Sequence, residues 1–192
     1  MSAVSIADAW PATGRPFTVA DLDLMPDDGR RYELVAGALV VSPRPTPAHQ
    51  VVAFTLASLL DRACPPGWQV IPEPAVLVAP DTEFAPDIVV AGHDQLAGAK
   101  ITEPPILVAE VRSPSTALID LNRKKAVYEG FGVASYWIIV PDPAGPELIV
   151  FELRDGRYRQ AAHVKGGEAF TALRPFQVEV VPSRLVAALR SA

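Results

Sequence analysis

Two acidic residues of this chain stand where acids are costly. Asp87 opens the apolar run DIVVA (87–91), and Glu110 lies inside ILVAEVRS (106–113). A carboxylate in a buried strand costs several kcal/mol unless a salt bridge, a raised pKa or a metal compensates it. Side chains alternate along a strand, so Ile106, Val108, Glu110 and Arg112 are expected on one face. Asp87 falls with Val89 and Ala91 by the same rule. If the two segments pair antiparallel, the carboxylates converge. With a backbone carbonyl such as that of Val111 they would make a hard oxygen site suited to Mg²⁺ or Mn²⁺. Asp120, Lys124 and Tyr128 follow at i, i+4 and i+8, one stripe of a helix, from which Lys124 can point at the pair. An ammonium there can orient or deprotonate an attacking water and stabilise a pentavalent transition state. Metal-activated water is the natural nucleophile for phosphodiester hydrolysis.

Each of these residues also has a plain structural reading. Asp87 after Pro86 is what a strand-initiating turn looks like. Glu110 can be half of a buried pair with Arg112 or Lys124. Lys124 sits between Arg123 and Lys125 and can belong to a solvated helix face, with Lys125 its rival if the helical phase is off by one. Glu33, in the first strand, reads as a solvent-facing hairpin residue. His49 is a proton shuttle or a helix N-terminal residue, and a lone His decides little. Tyr128 reads as packing plus a hydrogen bond. Ser113 and Ser115 would be nucleophiles only with a partnered base, and none is placed. Glu73, Glu83 and Glu103 read as loop acids.

The elements that must position these groups follow from periodicity and turn residues. Thr18 and Asp21 form a capping-box pattern for a short helix near 18–25, stopped by Pro26. RYELVAGALVVS (31–42) predicts a hairpin turning at Ala36-Gly37. Residues 49–63 carry apolar positions at helical spacing. Strands are expected over 68–71, 75–78, 87–91, 106–113 and 135–140, the later ones nearly uniform in apolar character, as in a buried sheet. Ser115 or Thr116 can cap a helix running to about Phe131. A second hairpin turns at Asp155-Gly156, and FQVEVV with a short helix from about Pro182 closes the chain. Two long helices over a mixed sheet make an α/β (α+β) layer architecture. Residues 1–16 are expected to be a flexible N-terminal segment and 17–192 one domain.

Bulk properties narrow the function. The chain has 192 residues, 49% hydrophobic and 20% charged, which is a globular balance. A net charge of −5 argues against a protein that coats nucleic acid non-specifically, though not against an enzyme with a local basic patch. The single cysteine, Cys64, allows no intramolecular disulfide and reads as structural, consistent with a cytoplasmic location. No signal peptide is evident, and no apolar stretch approaches the ~20 residues that cross a bilayer.

Taken together, APDIVV (85–90), VAEVRSPST (108–116) and DLNRKKAVYEGFGVASYWIIV (120–140) resemble the Uma2 family of restriction endonucleases, also called DUF820, within the PD-(D/E)XK nuclease superfamily. YELVAGALVVSP (32–43) and His49-Gln50 fit its N-terminal pattern, and the resemblance spans roughly residues 17–160. It implies a restriction-endonuclease-like core, a central mixed sheet flanked by helices, with extra N- and C-terminal hairpins. It implies Asp87 and Glu110 as metal ligands, with Glu33 a candidate upstream acid. The superfamily lysine stands two residues after the acid, where this chain has Arg112. Uma2-type sequences carry the lysine on the next helix, at a position matching Lys124. Arg112 could contact phosphate but cannot act as a base, since guanidinium stays charged. Ser135 and Asp142 mark two further departures from the family pattern. The expected activity is Mg²⁺- or Mn²⁺-dependent cleavage of nucleic acid, DNA first, by a homodimer. The competing expectations are a catalytically inactive nuclease-like binding module and a hydrolase of smaller phosphate esters.

Overall fold

The computed structural model describes residues 14–112 and 119–189, and the side chains of these except 119–121. Most of the expected N-terminal segment therefore lies outside the described residues. So do Ser113, Ser115 and Thr116, with the start of the helix they were expected to cap, and the side chain of Asp120.

In chain order the elements are α1 (Val19–Leu22), β1 (Arg31–Val35), β2 (Ala38–Ser42), α2 (Pro47–Ala63), β3 (Trp68–Pro72), β4 (Val76–Ala79), β5 (Thr82–Phe84), β6 (Ile88–Gly92), β7 (Leu107–Val111), α3 (Ile119–Phe131), β8 (Ser135–Val140), β9 (Glu147–Arg154), β10 (Arg157–Lys165), β11 (Phe170–Ala172), β12 (Val178–Val180) and α4 (Pro182–Leu185). A six-stranded mixed sheet runs β10-β9-β8-β7-β6-β3, and a four-stranded antiparallel sheet runs β2-β1-β5-β4. Within the larger sheet only β7 and β8 pair parallel. That pairing needs a crossover, which α3 supplies. Among the described residues no helix is long and apolar enough to cross a membrane.

Both expected hairpins form. Ala36-Gly37 and Asp155-Gly156 turn with positive φ at both residues (48° and 76°, 52° and 73°), the twist that matches flanking strands. The first hairpin belongs to the smaller sheet, and the second extends the larger one as its edge. Helix α2 starts two residues before the expected position. Pro47 is tolerated in its first turn, and Thr46 caps it by accepting from the His49 N–H. Val52, Leu56 and Leu60 of α2 are buried against one face of the larger sheet.

Three expectations need correction, and one element was not expected. The helix near 18–25 is only Val19–Leu22, with Thr18 N–H donating to Asp21 at 2.8 Å. Thr82–Phe84 is a strand, so Glu83 is a buried strand residue and not a loop acid; it pairs with Lys100 at 2.8 Å. Phe170–Ala172 pairs with β12 in a small separate sheet that periodicity did not show. Ile106 precedes β7 and packs in the cluster of Leu107, not on the face of Val108 and Glu110.

Candidate functional site

The strand register brings the two acids together. In the antiparallel β6–β7 pair Ile88 stands opposite Ala109, so one step on Asp87 faces Glu110. Opposed residues of such a pair project to the same side. That side also holds Val89, Ala91 and Val108, and it is covered by Phe84 from β5 and Tyr128 from α3. Asp87 and Glu110 are both buried.

Helix α3 and, through Lys124, β1 meet at Glu110. Lys124 Nζ lies 3.1 Å from Glu110 Oε1 and 2.9 Å from Glu33 Oε1, and Tyr128 Oη donates to Glu110 Oε1 at 3.2 Å. The i, i+4 spacing on α3 thus delivers both groups to one carboxylate. Lys124 is buried, with Nζ 5.4 Å from the Phe84 ring centre, whereas Lys125 packs over Phe151. Glu33 is buried on β1 and also accepts the Ala85 N–H at 3.0 Å. Burial pushes the Glu110 carboxyl up to about 7. Lys124 opposes that rise, and the charges of Asp87 and Glu33 add to it. Burial also holds the Tyr128 hydroxyl well above its ordinary range, with Glu110 adding to the effect.

Asp87 has a separate set of partners. Its Oδ1 accepts from Arg31 Nη1 at 3.0 Å, and its Oδ2 accepts the Val111 N–H at 2.7 Å and lies 3.1 Å from His49 Nε2. Burial would raise this carboxyl, but His49, Arg31 and the Val111 N–H together hold it below its ordinary range. His49 Nε2 is also 3.0 Å from the Val111 carbonyl oxygen. Both neighbours are acceptors, so Nε2 carries a proton. Desolvation lowers the His49 pKa, but Asp87 and the Val111 carbonyl together raise it overall. The Arg31 guanidinium also pairs with Glu73; burial lowers its pKa, but Asp87, Glu33 and Glu73 together raise it above its ordinary value.

The donor set fits a hard divalent cation. Three carboxylates crowd one end of the sheet, and the Asp87 Oδ2 and Val111 carbonyl oxygens already face one shared point, the His49 N–H. Among the described residues no group of three or more His, Cys, Asp and Glu is placed to hold a metal ion. Mg²⁺ does not require one, since it keeps waters and takes one or two carboxylates.

Of the residues singled out by sequence, Asp87, Glu110, Lys124, Tyr128, Glu33, His49 and the Val111 backbone meet here. Arg112 follows with an exposed side chain, its N–H bonded to Ile139 at 2.8 Å. Ser135 lies elsewhere, accepting from Trp137 Nε1 at 2.9 Å, and Asp142 caps an exposed turn through the Ala144 N–H. Sequence reading missed Arg31. The available signal was its i, i+2 spacing from Glu33, which puts both on one strand face.

Comparison with known proteins gives the family and the fold. No curated protein matches the chain. A solved structure, that of "a putative nuclease belonging to DUF820" from Anabaena variabilis, superposes with a TM-score of 0.71 at 17% identity, covering 91% of this chain and 99% of that one. Such a likeness shows the fold. The Uma2 family model, described as "Putative restriction endonuclease", matches residues 19–186. Spanning most of its length and both carboxylate strands, that match makes this chain a member of the Uma2 family.

Proposed function

We propose that the protein is a Mg²⁺- or Mn²⁺-dependent endonuclease that hydrolyses phosphodiester bonds in nucleic acid, DNA first. The observation that carries this is the meeting of Asp87, Glu110, Lys124 and the Val111 carbonyl at one end of β6 and β7, in a chain of this family. Asp87, Glu110 and the Val111 carbonyl would hold the ion. When bound, such an ion supplies Lewis-acid polarisation of the phosphodiester and activates water for in-line attack. Lys124 and Tyr128 fix the Glu110 carboxylate, and the ammonium adds positive charge beside the phosphate. Glu33 anchors that ammonium from the smaller sheet. Arg31 and His49 hold Asp87 in place. Two copies related by a two-fold axis would serve cleavage of both strands of a duplex.

The test is incubation of supercoiled plasmid and single-stranded DNA with Mg²⁺ or Mn²⁺, with EDTA as control. Wild type should cleave, and Asp87→Asn and Glu110→Gln should each lose about 100-fold or more. Cleavage by either variant at the wild-type rate would remove that residue from the site.

A second reading rests on one observation: both Asp87 oxygens are held by donors of the chain itself. A nuclease-like binding module without catalysis would look the same. It predicts that neither metal supports cleavage while the purified protein still binds nucleic acid.

A further inference from the structure

A pocket of about 360 Å³ opens between α2 and β3, an edge strand of the larger sheet, and Asp87 and His49 form part of its wall. That volume lies in the range of small-molecule sites, roughly 300–1,000 Å³. Its remaining lining is mainly apolar, with Val70 and Pro72 on the sheet side and Phe54 on the helix side. Phe54 is 73% exposed, the most exposed aromatic ring among the described large hydrophobics. Phe54, Ser58 and Asp61 follow at i, i+4 and i+7 along one flank of α2, away from its buried stripe of Val52, Leu56 and Leu60.

The charge of the lining narrows the occupant. Asp61, Glu73 and Asp87 contribute carboxylates, the last two paired with Arg31 behind the wall, and no lysine or arginine is among the lining residues. A phosphate would find no lysine or arginine to pair with there. A flat, uncharged group with an apolar face and hydrogen-bond donors on its edge fits. We propose that the pocket receives one unstacked nucleobase, lying on Phe54 and donating from an amino-bearing edge to Asp61. Guanine, cytosine and adenine carry such donors, whereas thymine has no exocyclic amino group. The inference rests on the nuclease reading of Asp87 and Glu110: a strand with its phosphate there places a neighbouring base at the shared wall. It commits the site to single-stranded or locally opened nucleic acid, because a base inside a duplex cannot reach a side pocket.

The experiment measures fluorescence anisotropy of labelled short oligonucleotides with Ca²⁺ present, comparing oligo-dC, oligo-dT and duplex. Wild type should bind oligo-dC more tightly than oligo-dT or duplex. Phe54→Ala should weaken oligo-dC binding about 5- to 100-fold, the range that loss of one base stack gives. Its Tm should not change, since the ring is exposed. Asp61→Asn should shrink the dC-over-dT preference while leaving dT binding intact. Unchanged oligo-dC binding by Phe54→Ala would overturn the inference. So would a wild-type dimer that Phe54→Ala converts to monomer, which would make the ring a self-association contact, or a gain in affinity for basic peptide over oligonucleotide. Metal-dependent plasmid cleavage separates the two failures. If Phe54→Ala cleaves single-stranded DNA with wild-type KM and kcat, only the pocket assignment falls. If wild type cleaves nothing, the nuclease reading falls first.

Discussion

The two faces of the six-stranded sheet are built from the same strands and buried to a similar degree, yet they differ in chemistry. One face carries Ile88, Val90, Leu107, Ala109, Trp137 and Ile139, sealed by α2 and by the C-terminal residues Phe176, Val178, Val180 and Leu185. Its polar pair, Trp137 Nε1 and Ser135 Oγ, is neutral and joins residues two apart on one strand. The other face carries Val89, Ala91, Val108 and Tyr136, and at its end Asp87 and Glu110. Here the buried polar groups are charged and come from β1, the start of β6, β7 and α3. A core needs apolar surface and shape, which the first face supplies. Drawing four elements together around three carboxylates costs desolvation that packing alone does not require. That difference is why the proposed site is placed on the second face.

Removing a charge from the second face should give the largest effect. Lys124→Met strips Glu110 and Glu33 of their shared ammonium and should destabilise the protein by about 3–5 kcal/mol in urea denaturation. Adding Glu110→Gln should recover part of that loss. If Lys124→Met alone is neutral, the buried network is not what holds α3 to the sheets.

The contrast between the faces was only half legible in sequence. Asp87 and Glu110 stood out because acids interrupt apolar strand patterns, and Lys124 and Tyr128 because helical spacing is a local property. The β6–β7 pairing turned those hints into one site. Arg31, 56 residues from Asp87, gave no local sign of its role, because the contact depends on how the smaller sheet docks. His49 was ambiguous for the same reason: its helix was readable, but the Val111 carbonyl it faces was not. Glu83 read as a loop acid because Thr82–Phe84 is too short for periodicity, and its strand character comes from pairing with Leu34 and Leu77. Ile106 was assigned to the wrong face because alternation was extended one residue past the strand.

On the apolar face, Leu56→Ala should cost about 2–5 kcal/mol of stability while leaving Mn²⁺ affinity unchanged. Equilibrium unfolding and metal titration of the same sample would show it, and a parallel loss of metal affinity would erase the distinction between the faces. Tyr128→Phe tests the boundary between packing and charge. It keeps the ring against Phe84 and Tyr136 but removes the hydroxyl from Glu110, for an expected loss of about 1.5–3 kcal/mol. A smaller loss by denaturant titration would make Tyr128 a packing residue only.

The smallest effect is expected far from the site. Glu129 on α3 accepts from the Tyr158 backbone N–H and from Arg157, which hold its carboxyl below the ordinary range. Because the folded pKa is the lower one, the stabilisation is present above the unfolded value and is lost as pH falls through the folded one. Glu129→Gln should flatten only the acid limb of a Tm-against-pH profile. An altered profile at neutral pH would show that this surface contact reaches the buried charges.

The most direct test of the claim that the charged face is a cation site is calorimetric titration of Mn²⁺ into wild type, Glu110→Gln and Leu56→Ala. The account predicts a saturable site in wild type and Leu56→Ala that is weakened at least about tenfold in Glu110→Gln. Equal binding in all three, or none in wild type, would contradict it.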